Sequence, residues 1–137
     1  MTMPGAPALS SIRHHWAAMT AVVLTLVWVI GTHLPRPDRV GIHVGRFDWL
    51  AHGFGYAILT ACWLIWCLSR PGAVPARTAA VVWGAMIVFA AADELTQPLA
   101  GRSAQWSDWV ADTTGAAAVA ILSVARRRPR GGGSSRE

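Results

Sequence analysis

Four long apolar runs constrain this chain more than any other feature: Trp16 to Leu34, Trp49 to Leu68, Arg77 to Leu95 and Trp109 to Val124. A bilayer core about 30 Å thick needs roughly 20 apolar residues in a helix that rises about 1.5 Å per residue. All four runs meet or approach that length. The runs lack the strict alternation of barrel strands, and inside lipid the backbone must satisfy its own hydrogen bonds, so they predict an all-α integral membrane bundle of four transmembrane helices. The share of apolar residues, 53% against 14% charged, fits that expectation and not a water-soluble globule. Residues 1–125 form one transmembrane domain on this basis, and residues 126–137 form a basic, Gly/Ser-rich flexible tail.

The first two runs contain no acid and no arginine, whereas the fourth is the shortest and is rich in alanine. Trp16, Trp49, Trp106 and Trp109 stand at the expected helix ends, where an amphipathic indole suits the headgroup region. Arg13 before an apolar segment resembles the start of a signal peptide, but no small-x-small cleavage site follows "VIGTHLPRP", so an uncleaved first helix is expected. All 12 basic residues are arginine. With four spans, Arg13, Arg70, Arg77, Arg126, Arg127, Arg128, Arg130 and Arg136 share one side, and Arg36, Arg39, Arg46 and Arg102 share the other. That imbalance predicts both termini in the cytoplasm. The tail "ARRRPRGGGSSRE" then reads as a topology signal that touches anionic membrane lipids, with no nucleic-acid partner. Cys62 and Cys67 are five residues apart in one helix and face different ways, which predicts neither a disulfide nor a metal pair.

Acids are rare, 7 in the chain, yet "AADELTQPLAGRSAQWSDWVAD" holds Asp93, Glu94, Asp108 and Asp112. The predicted topology puts these, with Asp48 and Gln97, at helix ends on the extracytoplasmic side. Asp48, His52 and Tyr56 form one helical stripe, Asp108, Asp112 and Gly115 another, and Glu94 and Gln97 a third. Three stripes can meet in one pocket, with Arg102 of the "AGR" turn as the counter-charge. Gly53, Ala57 and Ala61, Ala80 and Gly84, and Ala111 and Gly115 allow close helix approach. Plainer roles compete. Asp48 and Asp108 suit helix N-caps, His52 a packed hydrogen-bonding residue, and Tyr56 a structural donor. Asp93 points about 100° away from Glu94 and is expected in solvent at the interface. Pro98 is expected to end the third helix.

These residues resemble a known family. "FDWLAHGFGYAIL" followed by "DELTQPLAGRSAQWSDWVADTTGAAA" is similar to the VanZ-like family of small bacterial membrane proteins, associated with teicoplanin (glycopeptide) resistance. The resemblance covers about residues 46 to 120 and falls on Asp48, His52, Tyr56, Glu94, Gln97, Arg102, Asp108 and Gly115. Three positions depart from the family pattern: Trp49 replaces a lysine, Asp112 an asparagine and Ala100 a proline, and the first two make the pocket more negative. The resemblance implies a four-to-five-helix protein of the bacterial cell envelope, in the plasma membrane.

Three functions compete at this stage. In the first, an outward-facing pocket binds an amphiphile or cell-wall precursor, with Asp48, Tyr56, Gln97, Arg102 and Asp112 as binding residues. In the second, Glu94, His52 and Asp108 are catalytic in a membrane-embedded acid/base hydrolase or cyclase acting on a lipid-soluble or lipid-linked substrate. No cofactor is expected and no metal is assigned, although a metal form of this enzyme would use His52, Glu94 and Asp108. The third, proton-coupled transport, lacks an internal repeat in a single chain, which a homo-oligomer would evade.

Overall fold

The computed structural model describes residues 6–34, 48–70, 73 and 75–126. Arg36, Arg39 and Arg46 of the first loop, and Arg127, Arg128, Arg130 and Arg136 of the tail, lie outside the described residues. The described chain is all-helical. Helix α1 spans Ala6–His33, α2 Asp48–Leu68, α3 Pro75–Thr96 and α4 Trp106–Ala125, with a 3₁₀ turn at Gln97–Ala100 between α3 and α4.

Among the described residues, three helices are long and apolar enough to cross a membrane: Ser11–His33, Asp48–Leu68 and Pro75–Ala100. Helix α4 has 20 residues but carries Asp108, Asp112 and three hydroxyl residues in its first half, which lowers its apolar character. Helix α1 begins ten residues before the apolar run because Pro7 lies in its first turn, where a missing N–H is tolerated, and nothing breaks the helix from there to His33. Pro75 likewise opens α3. At the other end of α3, Pro98 does not stop the chain abruptly. It sits in the 3₁₀ turn, which Gly101 closes at φ 73°, donating its N–H to the Pro98 carbonyl at 3.1 Å. That left-handed conformation is one that glycine adopts without a Cβ penalty.

The helices run up and down. His14 near the start of α1 meets Ser69 just after α2 (2.8 Å), while Thr32 near the end of α1 meets the loop before α4 through Arg102. Helix α4 packs chiefly on α2 and next on α3, and α1 packs on α2 from outside. The apolar core lies between α2, α3 and α4, from Tyr56, Leu59 and Leu64 across to Val82, Met86, Ala90, Ala116 and Ala120. Large apolar side chains such as Leu26, Ile30, Phe54, Ile65, Val88 and Ile121 point outward on all four helices, a surface suited to lipid and not to water.

The α2–α4 seam is the closest approach. A Cβ on Gly115 would run into the Gly53 carbonyl, and one on Gly53 would lie 3.3 Å from the Ala111 carbonyl oxygen. Gly84, expected to serve a similar contact on α3, has nothing within 4 Å of its Cβ position, and Ala80 is exposed. The buried face of α3 runs through Ala79, Val82 and Met86, a register one residue away from the one expected.

Candidate functional site

The end of the bundle formed by the close of α1, the start of α2, the close of α3 and the start of α4 holds nearly all the buried polar side chains. Thr32, His52, Asp93, Glu94, Gln97, Asp108 and Asp112 are each at most 6% exposed. The residues assigned to catalysis or binding from the sequence, Asp48, His52, Tyr56, Glu94, Gln97, Arg102, Asp108 and Asp112, lie at this end.

His52 is the hub. Its Nδ1 is 3.2 Å from Asp112 Oδ1, and its Nε2 is 3.9 Å from Asp108 Oδ2, so one imidazole lies between two carboxylates of α4. The i, i+4 spacing of Asp108 and Asp112 places both on the α4 face that meets α2, and the Gly53–Gly115 contact holds the two helices close enough for it. Trp28 of α1 packs edge-on against His52 and against Tyr56, with ring centroids 5.6 and 5.7 Å apart, and walls off the α1 side.

Glu94 is held at both oxygens. Gln97, one turn on, donates Nε2 to Oε1 at 3.0 Å, and the backbone N–H of Gln105 donates to Oε2 at 2.7 Å. The 3₁₀ turn bends the chain so that Gln105 returns over the end of α3. Arg102 does not serve Glu94: its NH2 is 3.7 Å from Asp48 Oδ2 and its NH1 donates to the Thr32 carbonyl at 2.7 Å. The guanidinium therefore ties α1 to the start of α2, and its Nε is a buried donor with no partner among the described residues.

Two expectations for individual acids change. Asp93 is not in solvent; it is 3% exposed and accepts a hydrogen bond from Thr32 at 2.9 Å, with His33 Nδ1 3.6 Å away. The last turn of α1, through Thr32 and His33, covers this acid at the end of α3. Asp108 is not the N-cap of α4, which is Gln105, without a side-chain cap; Asp108 lies in the first turn with its side chain turned inward. Asp48 opens α2 as its first residue, where a carboxylate suits the positive end of the helix dipole.

Sequence reasoning missed the contribution of α1. Thr32, His33 and Trp28 all reach the centre, and the signal available was the polar pair closing an otherwise apolar run at the depth of the acids. Gln105 was also missed because it acts through its backbone.

Among the described residues, two groups could hold a metal ion: Asp48, His52 and Asp108, and His52, Glu94 and Asp112, each offering ligand atoms within 4.8 Å of one another. Beside the centre, between α1 and α2, lies a cleft of about 440 Å³. Leu24, Val27, Ile58 and Leu59 line its length, and Thr32, Asp48, His52 and Arg102 line its polar end.

Fold and site together define an all-helical bundle with a histidine-centred, acid-rich polar centre buried at one end. No protein-family model matches this chain, and no curated protein or solved structure does.

Proposed function

We propose that this chain is a VanZ-like multi-pass protein of the bacterial plasma membrane, with four spans and both termini in the cytoplasm. Its polar centre opens at the extracytoplasmic face and binds an amphiphile or cell-wall precursor, as an accessory protein against teicoplanin-type glycopeptides would. The observation that carries this reading is the α1–α2 cleft, apolar along its length and ending at Arg102, Asp48 and His52. An acyl or prenyl chain suits the apolar part, and the unpartnered Nε of Arg102 suits an anionic headgroup. In this scheme Asp48 positions the guanidinium, while Tyr56, Gln97 and Asp112 hold the walls of the polar end.

A second reading rests on the placement of His52 between Asp112 and Asp108. An imidazole oriented by one carboxylate and facing another is the arrangement of a general base, with Glu94 as a further acid or base, which supports a hydrolase or cyclase of a lipid-linked substrate.

Mass spectrometry of envelope lipids and cell-wall precursors, in cells making wild-type protein or Glu94→Gln at matched abundance, separates the two. A species that changes only with wild type establishes turnover. Equal profiles together with reduced teicoplanin susceptibility in wild-type cells establish binding, and equal profiles with equal susceptibility refute both.

A further inference from the structure

The geometry points to a divalent transition-metal site, of the Mn²⁺ or Zn²⁺ class, formed by His52, Glu94 and Asp112. The three side chains are 3%, 6% and 0% exposed, come from three different helices, and each presents a ligand atom within 4.8 Å of the other two. Ligands on one ion at about 2.1 Å stand roughly 3.0 to 3.4 Å apart, so the most widely spaced atoms need to draw together by at most about 1.8 Å, and His52 Nδ1 and Asp112 Oδ1 are already 3.2 Å apart. One imidazole nitrogen with carboxylate oxygens selects borderline ions over Mg²⁺ or Ca²⁺, which prefer oxygen alone.

Outer contacts of the kind that orient metal ligands are built at Glu94, and at His52 a carboxylate stands just beyond hydrogen-bond range of the second ring nitrogen. With Nδ1 turned to the ion, the other ring nitrogen carries its proton towards Asp108 Oδ2, 3.9 Å away. Gln97 and the Gln105 amide fix the two Glu94 oxygens, so a second lone pair on one of them serves the ion.

Two independent features call for a cation. Tyr56, 0% exposed, and the 3% exposed Asp93 carry a hydroxyl and an Oδ2 that are buried without a hydrogen-bond partner among the described residues, and a buried, unpartnered carboxylate oxygen is an acceptor for a cation or its bound water. Charge gives the second. Among the described residues this end gathers Asp48, Asp93, Glu94, Asp108 and Asp112, and the permanent cation there is Arg102, which pairs with Asp48. Buried carboxylates without compensation are costly in a membrane, and a divalent ion offsets two of them.

The site deepens the reading of this end as the working centre, but its test needs no substrate. Full-length protein in detergent is stripped with chelator, titrated separately with MnCl₂ and ZnCl₂, and assayed for bound ion by elemental analysis and for its unfolding midpoint. The expected result is one ion per chain and a midpoint that rises with metal concentration. Glu94→Gln and Asp112→Asn should bind about tenfold more weakly or worse, whereas Asp48→Asn, outside the triad, should retain the ion. If Asp112→Asn does not fold, the midpoint of wild type with and without re-added Mn²⁺ decides. A wild type that neither retains an ion nor shifts its midpoint overturns the site, as does loss of binding in Asp48→Asn but not in Asp112→Asn. Stoichiometric metal with unchanged lipid profiles and unchanged drug susceptibility would defeat the proposed function and leave the metal site standing.

Discussion

Gly115→Ala tests whether the α2–α4 seam sets the geometry of the polar centre. A Cβ on Gly115 would collide with the Gly53 carbonyl oxygen and would lie 2.9 Å from its carbon and 3.1 Å from the Gly53 Cα. Nonbonded carbons rest about 3.5–4.0 Å apart, so the helices must part by about 1 Å at this point. His52 adjoins Gly53, and Asp112 lies one turn from Gly115, so the same displacement takes the His52–Asp112 contact from 3.2 Å to about 4 Å, beyond hydrogen-bond range. Overpacking costs about 1–3 kcal/mol and the lost hydrogen bond to a charged group about 1.5–3 kcal/mol. The total, roughly 3–6 kcal/mol, is comparable to the whole stability of a small domain. Gly84→Ala is the internal control, since nothing lies within 4 Å of its added methyl; better helix propensity should leave it neutral or more stable by about 0.5–1 kcal/mol. Unfolding midpoints of both variants in one detergent provide the comparison. Equal tolerance of the two substitutions would refute the reasoning, because it would mean that the seam has room the structure denies it.

Gly101→Ala should cost about 1–2 kcal/mol from its φ of 73°, although its Cβ meets nothing, and Gly101→Asn should recover part of the loss; unfolding measurements on the pair separate backbone strain from packing. Thr32→Val removes the donor to Asp93 and should destabilise by about 1–3 kcal/mol, while Thr32→Ser should stay near wild type in the same assay. Gly55→Ala drives a methyl into the Trp28 ring, so Trp28 must swing into the α1–α2 cleft; labelling of Val27 and Ile58 by a photoactivatable phospholipid should fall several-fold, and undiminished labelling would place lipid elsewhere.

How far the sequence reveals this structure differs from part to part. Run length located all four helices because an apolar stretch of that length leaves the backbone few alternatives. Their ends were less clear: Trp16 marks where the apolar run starts, not where α1 starts. Helical spacing brought His52, Asp108 and Asp112 to facing surfaces because i, i+4 geometry fixes a face once the helix is known. Spacing says nothing about which helix covers that face. Pattern alone therefore leaves Asp93 in solvent, whereas the last turn of α1 closes on it, and pattern makes Arg102 the counter-charge of the whole pocket, whereas it is directed at Asp48 and the Thr32 carbonyl. Small residues were informative only where their register met another helix, as Gly53 and Gly115 do and Gly84 does not.

The same two glycines explain why the polar centre sits where it does. A buried imidazole between two carboxylates needs its helices closer than bulky side chains allow, and Gly53 and Gly115 bring backbone against backbone within one turn of His52 and Asp112. Beyond that contact the seam is lined by Ala57, Ala116 and Ala120 and becomes apolar, so polar groups placed deeper would meet neither water nor partners. At the opposite end of the molecule His14 is held by Trp66 and Ser69, with Arg70 over the Trp66 ring at 4.0 Å, and no described acid joins them. The two ends thus differ in kind. One carries a cation and aromatic rings, which suit an anionic headgroup layer, and the other carries buried acids gathered around a histidine. A headgroup layer does not account for the second, because lipid neither neutralises nor solvates the four buried carboxylates of Asp93, Glu94, Asp108 and Asp112, and an anchoring role would not need helices pressed together to bring His52 against Asp112.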